Sequence, residues 1–141
     1  MKDLTKYISV SYRRTQMFYT EHLKETEISS GQFMYIVCIC EHIGLTQDEL
    51  SHRLIIDKST VARVLSQLES SGFVTKKTNT HDRREFHLFP TEKALAIYPK
   101  IVQLKEEWHH KLVENLSDIE RDILAKLLEK VMENAVNHCK G

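Results

Sequence analysis

The sequence predicts a mainly α-helical protein with one small β segment in its middle. Three observations lead to this prediction. The 141 residues include only four Gly and two Pro, which is typical of a chain with few breaks between its helices. Apolar residues recur at helical spacing near both ends of the chain. Between these regions, after Gly72, the pattern changes to two short runs of β-prone residues.

Two helices are predicted before this middle segment. From Leu4 to Leu23, apolar residues lie mostly at multiples of four positions, which marks one face of a first helix. The second predicted helix runs from about Gln32 to His42 and is apolar nearly all round, which indicates a buried central helix. Gly44 then suits the left-handed turn with which many helices end.

Two shorter helices are predicted next. Thr46 with Glu49 three residues later forms the pattern of a capping box at the start of the first. Asp57 is placed to cap the second, which ends near Gly72. The apolar residues of this second helix fall on one side of its axis: Val61, Val64, Leu65 and Leu68.

A hairpin and two long helices complete the chain. The β-prone runs at 73–78 and 85–89 flank a polar tip at 79–84. A long helix is predicted to start at Thr91, and a capping box at Ser117 opens the last helix. A short helix, a tight turn, a capped second helix and a hairpin together constitute a winged helix-turn-helix. The predicted fold class is therefore mainly α with a small β wing, flanked by N- and C-terminal helices.

The second short helix carries, on the face opposite its apolar row, the kinds of side chain that read DNA. Opposite its apolar row it presents hydroxyl side chains, one Arg and one Gln, with no acid at the centre. The candidate residues are Ser59, Thr60, Arg63, Ser66 and Gln67. Arg and Gln can bond base edges in a major groove, whereas Ser and Thr can bond phosphates. The alternative interpretation is an ordinary solvated helix face.

The hairpin tip offers a second contact with DNA. Arg83 and Arg84 lie at this tip near Lys76, and an Arg on a rigid β-tip suits a narrow, electronegative minor groove. Asp82 is expected to support the wing by bracing one of the two arginines. Residues 46–90 contain seven Lys and Arg against six Asp and Glu, so binding would depend on where the charges lie.

The chain resembles the MarR (multiple antibiotic resistance regulator) family, which consists of winged-helix transcription factors of bacteria and archaea. The matching segments are 46–50, 56–63, 68–74, Asp82-Arg83-Arg84 and Thr91-Glu92-Lys93. An Asp-Arg-Arg followed within ten residues by Thr-Glu-Lys is fairly specific, and the flanking helices extend the resemblance over essentially the whole chain. Pro90 and Ala94 depart from the family pattern, which usually has Leu and Gly there.

The resemblance implies a sequence-specific regulator of transcription, more commonly a repressor, that binds a palindromic operator in double-stranded DNA as a homodimer. One recognition helix would enter the major groove of each half-site. By analogy, Arg84 would contact the minor groove, with Arg83 or Lys76 nearer to phosphate.

The same resemblance divides the single domain 1–141 into three parts. Residues 1–27 and 92–141 would form dimerisation helices around a winged module at about 28–91. The apolar rows agree independently, because they extend further than a winged module needs to cover. The predicted interface residues are Leu4, Ile8, Ile119, Ile123, Leu127 and Val131. A two-fold dimer would place its recognition helices about 34 Å apart, matching successive major grooves.

A small-molecule effector is a further expectation from the resemblance, because many relatives release DNA on binding a small aromatic acid or another effector. The candidate pocket residues are Tyr12, Met17, Phe33 and His42, although such residues are also typical of a core. Cys38 and Cys40 leave a redox-responsive regulator as an alternative. Two positions apart on a helix, they point about 200° away from each other and cannot bridge without unwinding.

Other classes of protein are disfavoured. The sequence has no Gly-rich phosphate loop and no Gly-x-Ser-x-Gly motif, so an enzyme is not expected. Its His residues lack closed ligand spacing, so we expect no metal and no cofactor. A winged-helix module that binds protein remains an alternative, which the acid-free helix face disfavours. The longest apolar run has eight residues and Cys is odd in number at three, which together predict a cytoplasmic protein without a membrane span.

Overall fold

The computed structural model describes residues 1–78, 81–82 and 84–141, so the prediction for Arg83 lies outside the described residues. The predicted fold class is confirmed: long helices flank a compact region of short helices and an antiparallel hairpin. In chain order the described elements are α1 (Leu4–Leu23), α2 (Phe33–Glu41), α3 (Gln47–Leu54), α4 (Lys58–Ser70), β1 (Val74–Thr78), β2 (Phe86–Pro90), α5 (Glu92–Leu112) and α6 (Asp118–His138).

Side-chain caps start three of these helices where the sequence predicted them. The Thr46 hydroxyl accepts a hydrogen bond from the Glu49 N–H at 3.1 Å, which opens α3. The Asp57 carboxylate accepts one from the Thr60 N–H at 2.9 Å, which opens α4. Ser117 opens α6 with both halves of a capping box in place. These local bonds explain why the predicted helix starts agree with the structure.

The core is built around α2. Six of its nine residues are buried, which confirms the prediction of a central helix that is apolar nearly all round. The neighbouring elements add large side chains that are almost completely buried: Leu23, Leu50, Leu65, Leu68, Leu88 and Ile101. The helix-turn-helix pair is thereby held through its inner face, which leaves the outer face of α4 to solvent.

The wing is tied to the end of α2. Strands β1 and β2 pair with Val74 opposite Pro90. The Gly44 N–H donates to the Leu88 carbonyl at 2.8 Å, and the Leu88 N–H donates to the Leu45 carbonyl at 2.8 Å. The segment after α2 thus adds a short third edge to the hairpin, which the sequence analysis did not predict.

The chain divides into two compact units, 1–105 and 106–141. The first contains α1 to α4, both strands and most of α5, and the second contains the end of α5 and α6. In α6, all of which is described, no residue is buried. Within the described part of the chain, every helix is too short or too polar to cross a lipid bilayer.

Candidate nucleic-acid interface

Helix α4 separates a buried apolar face from a polar face. Val61, Val64, Leu65 and Leu68 are at most 6% exposed. The residues predicted to read DNA lie on the other side: Ser59, Arg63, Ser66 and Gln67 are exposed and Thr60 is partly exposed. The apolar row therefore anchors the helix, while all five predicted residues share one solvent-facing surface.

The N-terminus of α4 is organised by Asp57. The Ser59 hydroxyl donates to one carboxylate oxygen at 2.6 Å, and the Thr60 hydroxyl donates to the other at 2.7 Å. These bonds, together with that from the Thr60 N–H, lower the pKa of Asp57 to about 2. Both hydroxyl hydrogens point at Asp57. The hydroxyls of Ser59 and Thr60 must therefore break these hydrogen bonds before they can donate to a phosphate.

The sequence analysis missed one residue beside this surface. Gln32, the N-cap of α2, lines a cleft of about 300 Å³ together with Arg63 and Gln67. Its side-chain amide donates to the Gln67 Oε1 at 3.2 Å. The two glutamines are 35 positions apart, so no local spacing in the sequence could have indicated the contact.

On the wing, Arg84 extends into solvent with a side chain that is 95% exposed. The Asp82 carboxylate accepts a hydrogen bond from the Arg84 backbone N–H at 2.9 Å, and its oxygen lies 3.6 Å from the Arg84 Nε. Lys76 is half-buried and places its ammonium 5.9 Å from the centre of the Phe86 ring. The side chain of Arg84 is therefore more exposed to solvent than that of Lys76.

Lys93 connects the start of α5 to the turn after α4. Its ammonium donates to the Ser71 carbonyl at 2.8 Å and to the Glu27 carboxylate at 2.9 Å. It also lies 4.5 Å from the centre of the Phe73 ring. These contacts give a physical reason for the Lys in the Thr-Glu-Lys segment: it holds the start of α5 against the turn that follows α4.

The candidate effector residues separate into two groups. Phe33 and His42 line one cleft of about 240 Å³ between α2 and α3. Tyr12 and Met17 are exposed on α1 and are not among the residues that line this cleft. The structure thus brings together two of the four predicted residues.

The two cysteines of α2 lie in surroundings that disfavour the thiolate. Burial raises the pKa of Cys38. Burial, with a smaller contribution from the Glu41 carboxylate, raises the pKa of Cys40 to about 11. Because the thiolate is the reactive form, these positions have low nucleophilicity at neutral pH. Cys139 is exposed.

The residues predicted for a dimer interface are apolar side chains at the surface of the single chain. Leu4 and Ile8 are exposed on α1. On α6, the residues Ile119, Ile123, Leu127 and Val131 are between 41% and 73% exposed. A continuous apolar row of this kind is typical of a protein–protein contact.

Together, the fold and its polar helix face define a class: transcriptional regulators with a winged helix-turn-helix. Residues 28–86 match the model of the MarR family. The chain is 34% identical to a MarR-family transcriptional regulator from Listeria monocytogenes solved in complex with 26mer DNA. That alignment covers 98% of this chain and 92% of the other, with a TM-score of 0.90. The chain belongs to the MarR family.

Two further relatives agree with this assignment. A MarR variant from Escherichia coli, solved in complex with operator DNA, is 29% identical, with a TM-score of 0.82 and coverage of 91% of this chain and 92% of the other. The HTH-type transcriptional regulator YybA of Bacillus subtilis is 28% identical over 95% of this chain and 89% of its own length. The chain is accordingly a transcriptional regulator and not an enzyme.

Proposed function

We propose that the chain binds double-stranded operator DNA sequence-specifically and represses transcription. The polar face of α4 carries the proposal, because it presents an Arg and a Gln that can bond base edges from a helix anchored on its other side. The two relatives solved with DNA support it, one of them with operator DNA. Repression is the commoner mode of action implied by the family resemblance.

In this proposal the wing follows the adjacent minor groove. Arg84 enters the groove, where an exposed guanidinium meets enhanced negative potential. Asp82 supports the wing by holding the Arg84 backbone N–H. Lys76, or Arg83 by prediction from the sequence, binds the neighbouring phosphates.

We further propose that two chains form a symmetric dimer. The exposed apolar rows of α1 and α6 would each be covered by the partner, which removes apolar surface from water. Such a dimer presents two copies of α4 related by a two-fold axis. Its operator is therefore a palindrome with half-sites about one helical turn apart.

The cleft at Phe33 and His42 is our proposed effector site. The cations Arg53 and Lys105 also line it, against one acid, Glu41. Two cations beside an aromatic ring favour a small anionic ligand with an apolar body. Since the cleft is lined by both α2 and α3, a bound ligand would act on the helix-turn-helix directly.

Two alternatives have less support. A redox-responsive regulator would need a reactive thiol at Cys38 or Cys40, and burial raises the pKa of both. A winged-helix module that binds protein would more typically expose aromatic residues on α4, whereas its outer face carries hydroxyl, Gln and Arg side chains.

The deciding experiment is the selection of bound sequences from a random pool of DNA duplexes, repeated with small aromatic acids. We expect an enriched palindrome, with loss of binding when an effective acid is present. Arg63→Ala should abolish the enrichment at one position per half-site, and Lys126→Ala on α6 is the charge-matched control. A purified, folded protein that enriches no sequence would contradict the proposed function.

A further inference from the structure

The side chain of Gln32, the residue just before α2, forms two hydrogen bonds that connect separate parts of the fold. Gln32 is the N-cap of α2, yet its side chain makes no cap hydrogen bond. Its Oε1 instead accepts the Ser29 backbone N–H at 3.0 Å, and its Nε2 donates to the Gln67 Oε1 at 3.2 Å. One amide thus connects the loop before α2 to the exposed face of α4.

The donors and acceptors in this chain of bonds allow only one arrangement. A backbone N–H can only donate, so Ser29 must meet the oxygen of Gln32 and not its nitrogen. The Gln32 Nε2, which can only donate, is then directed at Gln67 and must meet an oxygen there. Because an amide carries its oxygen and nitrogen on opposite sides, the Gln67 Nε2 faces away from Gln32.

From this geometry we infer that Gln32 is a positioning residue that sets which polar group Gln67 offers to a base. The inference rests on the proposed reading of DNA by α4. With its oxygen held by Gln32, Gln67 presents N–H donors outward. In a major groove the acceptors are N7 and O6 of guanine, O4 of thymine and N7 of adenine, but adenine also places its N6 amino donor beside N7, where it opposes the N–H donors of Gln67. We therefore expect a keto base, G or T, opposite Gln67 in each half-site.

The position of the pair in the structure fits this role. Gln67 is exposed, so the far end of its amide is accessible from solvent, whereas Gln32 is half-buried. The cleft of about 300 Å³ next to them is also lined by Thr60 and Arg63, two other residues of the proposed reading surface. A change at Gln32 thus acts on the reading face without removing any side chain from the apolar row of α4.

The test is the variant Gln32→Glu. A carboxylate has two acceptor oxygens, so it still receives the Ser29 N–H, but toward Gln67 it now requires a donor. Gln67 should turn its amide, with Nε2 toward Glu and Oε1 outward. The preferred base should change from G or T to one with an exocyclic amino group, A or C. We expect at least about a fivefold change in relative enrichment at one position per half-site.

Three further variants test the relay, by which we mean the effect of Gln32 on base choice through the Gln67 amide. Gln103→Glu adds the same charge at an exposed site on α5 and should leave the base preference unchanged. Gln32→Ala should broaden the preference at the same position, because it releases the Gln67 amide. Gln67→Ala should remove that preference altogether, and adding Gln32→Glu to it should have no further effect on base choice.

The outcomes separate this inference from the proposed function. If the unaltered protein and Gln32→Glu both select the same operator with the same base at every position, the relay is refuted while DNA reading stands. A Gln67→Ala variant with unchanged preferences would also refute the relay. If the unaltered protein selects no sequence, the proposed function itself fails.

Discussion

Single side chains on the proposed DNA-binding surface differ in how many hydrogen-bond donors they have free. Ser59 and Thr60 already direct their hydroxyl hydrogens to Asp57, whereas the Arg63 and Arg84 side chains extend from exposed positions. An Arg has five N–H donors in a fixed fork and no acceptor, so it is suited to base acceptors and to phosphate. We therefore expect the two arginines to contribute most of the energy of binding at this surface.

For Arg63→Ala we expect a loss of specific affinity of about 1–3 kcal/mol and relaxed base preference at one position per half-site. The physical reason is the loss of a bidentate contact with a base edge. The measurement is a comparison of gel-shift affinities for the selected operator and a scrambled duplex. An equal loss on both duplexes would instead make Arg63 a phosphate contact.

For Arg84→Ala we expect weaker binding to all duplexes and a salt dependence of log K that is shallower by about one unit. The mutation removes one cation from the wing, so fewer counterions are released on binding. A titration over a range of salt concentrations measures the slope, with Lys126→Ala as the charge-matched control. An unchanged slope in Arg84→Ala would refute the proposed contact of Arg84 with DNA.

Thiol reactivity distinguishes the three cysteines. Burial raises the pKa of Cys38 and Cys40, the latter to about 11, so at neutral pH both are almost entirely protonated and inert. In the native protein we expect one fast-reacting thiol per chain, Cys139, and its loss in Cys139→Ser. Rapid labelling of Cys38 or Cys40 in that variant would revive the redox alternative.

At the scale of elements, the turn between α3 and α4 contains a strained residue. Ile55 ends α3 with φ at +56°, in the left-handed region that disfavours β-branched side chains. Its side chain is exposed, so little apolar burial offsets the strain. The helix-turn-helix thus keeps its geometry through the packing of the helices on either side, not through a favourable residue in the turn.

Ile55→Gly should therefore stabilise the protein, by about 1 kcal/mol, because Gly adopts positive φ without steric penalty. The free energy of unfolding in urea is the measurement. Ile43→Gly is the matched control: Ile43 is also exposed but has no positive φ, so this change should lower stability. Destabilisation of both variants to the same extent would argue against strain at Ile55.

The wing includes one pairing that the local sequence patterns do not indicate. The two strands were predicted from their β-prone composition, and they pair in register over five residues each. The sequence analysis placed Gly44 at the end of a helix and assigned no element to Leu45, yet Leu45 pairs with β2 through Leu88. Its pairing depends on where α2 directs the chain, which the short segment 43–46 does not encode by itself.

At the scale of the whole molecule, α6 buries none of its residues in a single chain. A helix with an apolar row of this length is stable only if another surface covers it, since helical stability depends mainly on the packing of an apolar face. The row was predicted from its four-residue spacing, and its exposure is what the structure adds. Dimerisation through this row stays a prediction.

We expect Ile123→Asp to shift the dimer toward monomer, because it places a charge where an apolar contact would form. Sedimentation velocity at micromolar concentration is the measurement. Ala125→Asp introduces the same residue about 200° around α6 and should leave the dimer intact. If Ile123→Asp still sediments as a dimer, the interface lies elsewhere.

The sequence by itself determined the helices, their caps and the two faces of α4. Each of these depends on residues within about four positions of one another, and spacing along the chain records such relations directly. Only the tertiary structure decided that Gln32 holds Gln67, that Leu45 extends the wing, and that Phe33 and His42 share a cleft that Tyr12 and Met17 do not line. Contacts between residues distant in sequence depend on the directions in which packed helices carry the chain, and periodicity along one helix carries no information about those directions.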